Sequence, residues 1–170
     1  MKNIGLLGRA ESGKTTVAKY LVEHHGFTRM AFADPLKEML IQAGLCTREE
    51  CYVAKTERSR ELLQKVGTEI FRKQVHTDFW VQQIAKRVKE SSACRIVFDD
   101  LRFPNEARWI RSYPGSKIVK LERIGHVDAV SGMTHESESL VDTIAADHVI
   151  TVASGDIDGI LMSIEQILGA

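Results

Sequence analysis

The stretch Gly8-Arg-Ala-Glu-Ser-Gly-Lys-Thr-Thr16 constrains this chain more than any other. It fits G-x-x-x-x-G-K-S/T and sits between a run of strand character and a run of helical character. Before it, Asn3-Ile-Gly-Leu-Leu7 reads as a short buried strand; after it, Val17, Ala18, Leu21 and Val22 recur at helical spacing. The glycines at 8 and 13 let the backbone turn tightly and point successive N–H groups inward, toward the anion that the positive end of the following helix also favours. The stretch is therefore a loop for holding a triphosphate, with Gly8, Ala10, Glu11, Ser12, Gly13, Lys14, Thr15 and Thr16 as its contacts. Lys14 reaches the outer phosphates, and the Thr15 hydroxyl is offered to Mg²⁺.

The rest of the chain alternates strand and helix. Thr28 to Phe32, Arg95 to Phe98, Lys117 to Leu121 and His148 to Val152 read as four further strands. This pattern predicts a three-layer α/β/α fold with a five-stranded parallel sheet, in one domain. Asp34-Pro35 opens a helix carrying Leu36, Met39 and Leu40, with Asp34 expected as its N-cap. From Thr47 to Ser91 the chain looks almost entirely helical, long for a crossover between two strands. Thr47-Arg-Glu-Glu50 matches a capping box; a second helix carries Leu62, Leu63, Val66 and Ile70 as an apolar stripe, and a third begins near Asp78 with Trp80, Val81 and Ile84. Arg60, Gln64 and Gly67 fall on the other side of the second helix, where a solvated face is the ordinary reading. The strand ending in Asp99-Asp100 puts carboxylates where ligands bind in open α/β sheets. Arg123 to Ser139 is polar, contains His126 and His135, and reads as a loop or lid leading into a short helix with Leu140, Val141 and Ile144. Ser154-Gly-Asp156 caps a last helix.

Composition narrows the class. Lys plus Arg balance Asp plus Glu at 23 each, so no bulk electrostatic grip on nucleic acid or an anionic membrane is expected. No apolar run is long enough to cross a bilayer and no signal segment precedes the first strand, so the expectation is a cytoplasmic protein. Cys46, Cys51 and Cys94 lack metal-site spacing and read as reduced, mostly buried thiols.

A phosphate loop on a small α/β domain serves a nucleotide switch, a motor or a small-molecule kinase. The N-K-x-D pattern of guanine-reading switches is missing. The large helical insertion, about 34–91, and the late glycine-containing loop, about 123–139, together resemble nucleoside monophosphate kinases. Within that superfamily the chain is similar to the phage-type deoxynucleoside monophosphate kinases. The matching stretches are Phe32-Ala-Asp-Pro-Leu-Lys37, Arg60-Glu-Leu-Leu-Gln64 with Gly67-Thr-Glu69 and Arg72, Asp78-Phe-Trp-Val81, Asp100-Leu-Arg-Phe-Pro-Asn-Glu106 and His135-Glu-Ser-Glu138. Residues 41–57 match nothing in that pattern.

This resemblance implies ATP and Mg²⁺ as cofactors and a nucleotide as the acceptor. The insertion would hold the acceptor and the lid would close over ATP. Lys14, Arg102 and Arg123 would be the catalytic cations, with Thr15 and, through water, Asp100 on the metal. Asp34, Lys37, Gln64, Thr68, Asp78 and Trp80 would contact the acceptor's sugar and base, with Arg60, Arg72, Asp100 and Arg102 at its phosphate end. Glu106 and Asn105 would orient Arg102, and His126 and His135 are weaker candidates for phosphate. Trp80 has an equal claim to be core, because it lies on an apolar stripe. Another phosphate acceptor, such as phosphomevalonate or a modified pyrimidine nucleotide, stays open, as does a regulatory module that holds ATP without transferring phosphate. Base preference and a homodimeric state are left open too.

Overall fold

A continuous apolar strand needs cover on both faces, and that requirement puts the first strand in the middle of the sheet. The computed structural model describes residues 2–124 and 140–169. Strand β1 (Lys2–Leu7) is buried from Asn3 onward and pairs with β3 (Arg95–Leu101) on one side and β4 (Lys117–Ile124) on the other. With β2 (Thr28–Met30) beyond β3 and β5 (His148–Ala153) beyond β4, the sheet has five parallel strands in the order β2-β3-β1-β4-β5. These are the five parallel strands that the sequence predicts.

The chain divides into two compact units, Met1–Met30 with Ala93–Ala170, and Ala31–Ser92. The first holds the sheet. Helices α1 (Lys14–His25) and a C-terminal helix (Ile157–Gly169) cover one face of it, where Val17, Leu21, Ile160 and Ile164 pack on Ile4, Leu6, Val97, Val119, Ile150 and Val152. Toward the opposite face Gly5 looks at Ile110 and Ile118; Ile110 belongs to the helix Pro104–Arg111. The neighbouring strands β1 and β3 therefore lead into helices on opposite faces. That is the switch point at which open α/β sheets leave a crevice at their carboxyl ends. The phosphate loop and Asp99-Asp100 both stand at those ends.

The second unit is helical and spans the stretch read as an insertion. It contains α2 (Asp34–Gln42), α3 (Arg48–Tyr52), α4 (Glu57–Gln64), a π-helix (Lys65–Val75) and α5 (Phe79–Glu90). The helix Pro104–Arg111 is hereafter α6 and Ile157–Gly169 is α7. Leu36, Leu40, Cys46, Cys51 and Trp80 form the core of the second unit. The predicted capping box is present: Glu50 N–H donates to Thr47 Oγ1 at 3.2 Å and Thr47 N–H to Glu50 Oε2 at 2.8 Å. Asp156 likewise caps α7, accepting the Gly159 N–H at 2.9 Å.

Several expectations are corrected. Asp34 is the first residue of α2 and not its N-cap; Ala33 occupies that place, and the Asp34 carboxylate turns back to accept the Ala31 N–H at 3.1 Å. Ile70 is not on the buried stripe but 38% exposed. The segment winds as a π-helix, its carbonyls paired with the fifth residue on and not the fourth, so the α-helical period of the stripe does not carry on to Ile70, and Phe71 packs on the core of the unit. Strand β2 stops at Met30, and β4 runs three residues past Leu121 because β5 pairs with it as far as Ile124 opposite Ala153. Arg123 is thus a strand residue and not the first residue of a loop. The short helix expected near Leu140 is a single 3₁₀ turn, Leu140–Thr143. Residues 125–139, including His126 and His135, lie outside the described residues. Among those described, Cys46 and Cys51 are buried, Cys94 is exposed, and no helix is long and apolar enough to cross a membrane.

Candidate active site

The phosphate loop departs from β1 at Gly8, whose φ of 146° and surroundings exclude a side chain: a Cβ there would meet the Leu121 carbonyl oxygen at 2.6 Å and Ser12 Oγ at 2.7 Å. The loop closes on itself through Ser12 N–H to the Arg9 carbonyl at 3.3 Å, and Glu11 adopts a left-handed φ of 60°. Gly13 caps α1, with Lys14, Thr15 and Thr16 in its first turn. Ser12 is buried and Thr15 and Thr16 are exposed. The Lys14 ammonium folds back over the loop, donating to the carbonyl of Gly8 at 2.7 Å, to that of Arg9, and to Ser12 Oγ at 3.2 Å. It is anchored over the loop at the N-terminal end of α1, a place that suits the outer oxygens of a polyphosphate.

A cavity of about 250 Å³ opens beside the loop, lined by Gly8, Arg9, Ala10 and Ser12 on one side and by Lys120 to Arg123 and Asp142 on the other. Arg123, named from the resemblance as a catalytic cation, is thus brought to the same cavity as the loop. The cavity also holds an ion cluster that the sequence reading missed. Asp142 accepts from Lys120 Nζ and from Arg9 Nη2, each at 3.1 Å, and Lys120 also meets Glu122 at 2.8 Å. The Lys120 and Arg9 hydrogen bonds hold the Asp142 carboxyl below its ordinary range. Glu122, followed by Asp142, raises the Lys120 ammonium. Arg9 is an unspecified position of the loop pattern and lies 133 residues from Asp142, so no local signal could have joined them.

At the end of β3 the two carboxylates part company. Asp99 is held by Arg29 of β2, whose Nε reaches both of its oxygens at 3.1 Å and whose Nη2 reaches Oδ1 at 2.9 Å. Asp99 therefore has a structural partner, and Asp100, half-buried beside it, stands next to Leu101 and Arg102. Glu106, 1% exposed, accepts the backbone N–H groups of Arg102 at 3.0 Å and Phe103 at 3.1 Å, so it fixes the turn that carries the Arg102 side chain.

The remaining candidates belong to the helical unit. Asp34 and Lys37 lie one turn apart on α2, 4.0 Å from oxygen to ammonium, and the Lys37 ammonium sits 4.3 Å over the Tyr52 ring. Arg60 and Gln64 share an exposed face of α4. Thr68 and Arg72 are turned inward on the π-helix. Asp78 is half-buried, its N–H donating to His76 Nδ1 at 3.0 Å. Trp80 is 3% exposed, with its indole N–H on the Gly67 carbonyl at 2.9 Å and its ring against Phe71 and Phe79. It is a core residue, which leaves it little surface for a ligand.

A parallel sheet whose central strand feeds a Gly-rich phosphate loop and a helix defines the P-loop kinase fold. Solved structures with this fold include a sugar kinase from Janibacter sp. (15% identity, TM-score 0.53, covering 99% of this chain and 95% of that one). A shikimate kinase from Aquifex aeolicus is another (16% identity, TM-score 0.53, covering 99% of both chains). No family model matches the chain. A protein of Acanthamoeba polyphaga mimivirus, provisionally named deoxynucleotide monophosphate kinase, is 31% identical over 180 aligned residues that span 91% of this chain and 90% of the other. The chain belongs to the deoxynucleotide monophosphate kinase family.

Proposed function

We propose that this protein transfers the γ-phosphoryl group of ATP to the phosphate of a nucleoside monophosphate, with a deoxynucleotide as the preferred acceptor, giving two diphosphates. The observation that carries this reading is the phosphate loop itself, with Lys14 anchored over its carbonyls at the head of α1 and Arg123 lining the same cavity. Family membership directs the choice of acceptor.

The acceptor phosphate is already an anion, so the transfer needs no strong base; it needs cations around a loose transition state whose charge lies on the equatorial oxygens. Lys14 supplies one at the donor, and Arg123 a second from the strand beside the loop. Arg102, held by Glu106 through its backbone, offers a planar fork to phosphate. Thr15, exposed in the first turn of α1, and Asp100, at the end of β3, have the hard oxygen donors that Mg²⁺ takes directly or through water. Mg²⁺ bound there neutralises phosphate charge. In the helical unit, Arg60 and Arg72 are assigned to the acceptor phosphate, and Asp34, Lys37, Gln64, Thr68 and Asp78 to its sugar and base. The soluble nucleotides ATP and the acceptor are its partners in this reading.

The test is ADP formation with Mg-ATP and a panel of dAMP, dGMP, dCMP, dTMP, hydroxymethyl-dUMP, the ribonucleotides and phosphomevalonate. Acceptor-dependent turnover on a nucleoside monophosphate is the expected result, reduced by several orders of magnitude in Lys14→Ala with the fold intact. Turnover on phosphomevalonate alone, or ATP binding without any acceptor-dependent ADP, overturns the proposal.

A further inference from the structure

An unbroken π-helix from Lys65 to Val75 is unusual, because π winding ordinarily appears as a single turn inside an α-helix and often at functional sites. Something outside the segment has to favour it. Four observations converge on one contact. The Trp80 indole donates to the Gly67 carbonyl at 2.9 Å, with both groups buried. Gly67 is pressed so closely on Leu36 that a Cβ would stand 2.7 Å from Leu36 Cδ2. Phe71 stacks on Trp80 with ring centres 5.0 Å apart and on Phe79 at 4.5 Å. The five-residue pairing carries on to the end of the segment, where His76 N–H meets the Phe71 carbonyl at 2.9 Å.

The winding decides which side chains face inward. In α-helical winding the Gly67 carbonyl would take the Phe71 amide, and Phe71 would lie over Gly67. In π winding that carbonyl is served from Arg72, so Arg72 comes onto the buried line of Gly67 while Ile70 is turned out. A carbonyl oxygen has two acceptor sites, so the indole can hold one while the π pairing uses the other. The result is a buried Arg72 on a segment whose plain α-helical form would turn it away from the line of Gly67.

We propose that Trp80 is a positioning residue: through its hydrogen bond to the Gly67 carbonyl it holds the π winding that sets the Arg72 side chain. Its bearing on turnover rests on the reading of Arg72 as an acceptor-phosphate contact. Trp80→Phe keeps an aromatic ring and removes the donor. In the full chain it lowers kcat/KM for the nucleoside monophosphate about tenfold, as loss of one buried hydrogen bond allows, and leaves the KM for ATP unchanged. Combined with Arg72→Lys, it costs nothing further, because the two act on one group. Additive losses, or an equal effect on ATP, overturn the proposal.

A second measurement does not depend on activity. Amide hydrogen exchange in residues 70–76 of the unliganded variant accelerates selectively over the amides of α5; uniform acceleration marks a merely structural role and overturns the proposal. Should Trp80→Phe fail to fold, benzothienylalanine in place of tryptophan in a Trp109→Phe background removes only the N–H, and the same two outcomes apply. A wild-type protein that phosphorylates no acceptor defeats the functional reading, while the exchange comparison still decides the role of Trp80.

Discussion

Asp99 and Asp100 are adjacent and identical in kind, and Asp99 has a defined structural partner. Asp99 is forked by Arg29 at 2.9–3.1 Å with its side chain 9% exposed, so removing it strands a guanidinium and loses a charge-assisted pair worth about 1–3 kcal/mol. Asp99→Asn should lower the melting temperature while ATP turnover per folded molecule changes little; Asp100→Asn should lower kcat. Thermal unfolding and steady-state kinetics on the two variants check this, and a large kcat loss in Asp99→Asn would exchange the two assignments. The sequence favours Asp100 by alignment with the family pattern, but the partner that occupies Asp99 lies 70 residues away on β2 and carries no local sign. Asp34 teaches the same lesson more locally. Its cap-like place before Pro35 is legible, but whether such a carboxylate caps its own helix or reaches back to Ala31 depends on the path of the chain entering the helix.

Among elements, those with one strong period are legible and those whose period changes are not. Helices α1, α5 and α7 appear in the structure where their apolar spacing puts them, and strand β3 begins at Arg95 as read but runs past Phe98 to Leu101. The stripe of Leu62 and Leu63 on α4 with Val66 on the π-helix is also real, but carrying its α-helical period on to Ile70 fails where the hydrogen bonding passes from four to five. Strand β4 is tied to the turn Leu140–Thr143 by Asp142, and this tie has a definite pH sense. The native carboxyl titrates below its ordinary range because Lys120 and Arg9 favour its ionised form. Its contribution to stability is therefore complete above about pH 4, where the unfolded carboxyl is ionised too, and disappears as the pH falls through the lower native value. Carboxyl-carbon titration by NMR should find Asp142 with a depressed midpoint that moves upward in Arg9→Ala. An unmoved midpoint would remove Arg9 from the cluster. The pair is half exposed, so its effect on overall stability is small.

On the scale of the whole molecule, each unit carries one of the two tryptophans, Trp109 in the sheet unit and Trp80 in the helical one. In a Trp80→Phe background, Trp109 fluorescence thus reports the sheet unit, where its ring meets Phe98 at 5.7 Å and Tyr113 at 5.2 Å. Ile164, fully buried where α7 packs on the sheet, should cost about 2–5 kcal/mol when cut to alanine, read as a lower urea midpoint. A loss below about 0.5 kcal/mol, typical of surface positions, would mean that α7 does not close that face. What the amino-acid sequence determined by itself is the parallel α/β sheet and the phosphate loop at its centre. Both are local codes, since a buried strand is a run of apolar residues and a loop of this kind is a spacing of glycines before a lysine. Only the tertiary structure decided the rest: where β2 and β4 end, the π winding beneath Trp80, the pairing of Arg29 with Asp99, and the Arg9–Asp142–Lys120 cluster beside the loop. Each of these depends on groups far apart in the chain, whose energies exist only once packing has brought them within hydrogen-bonding distance.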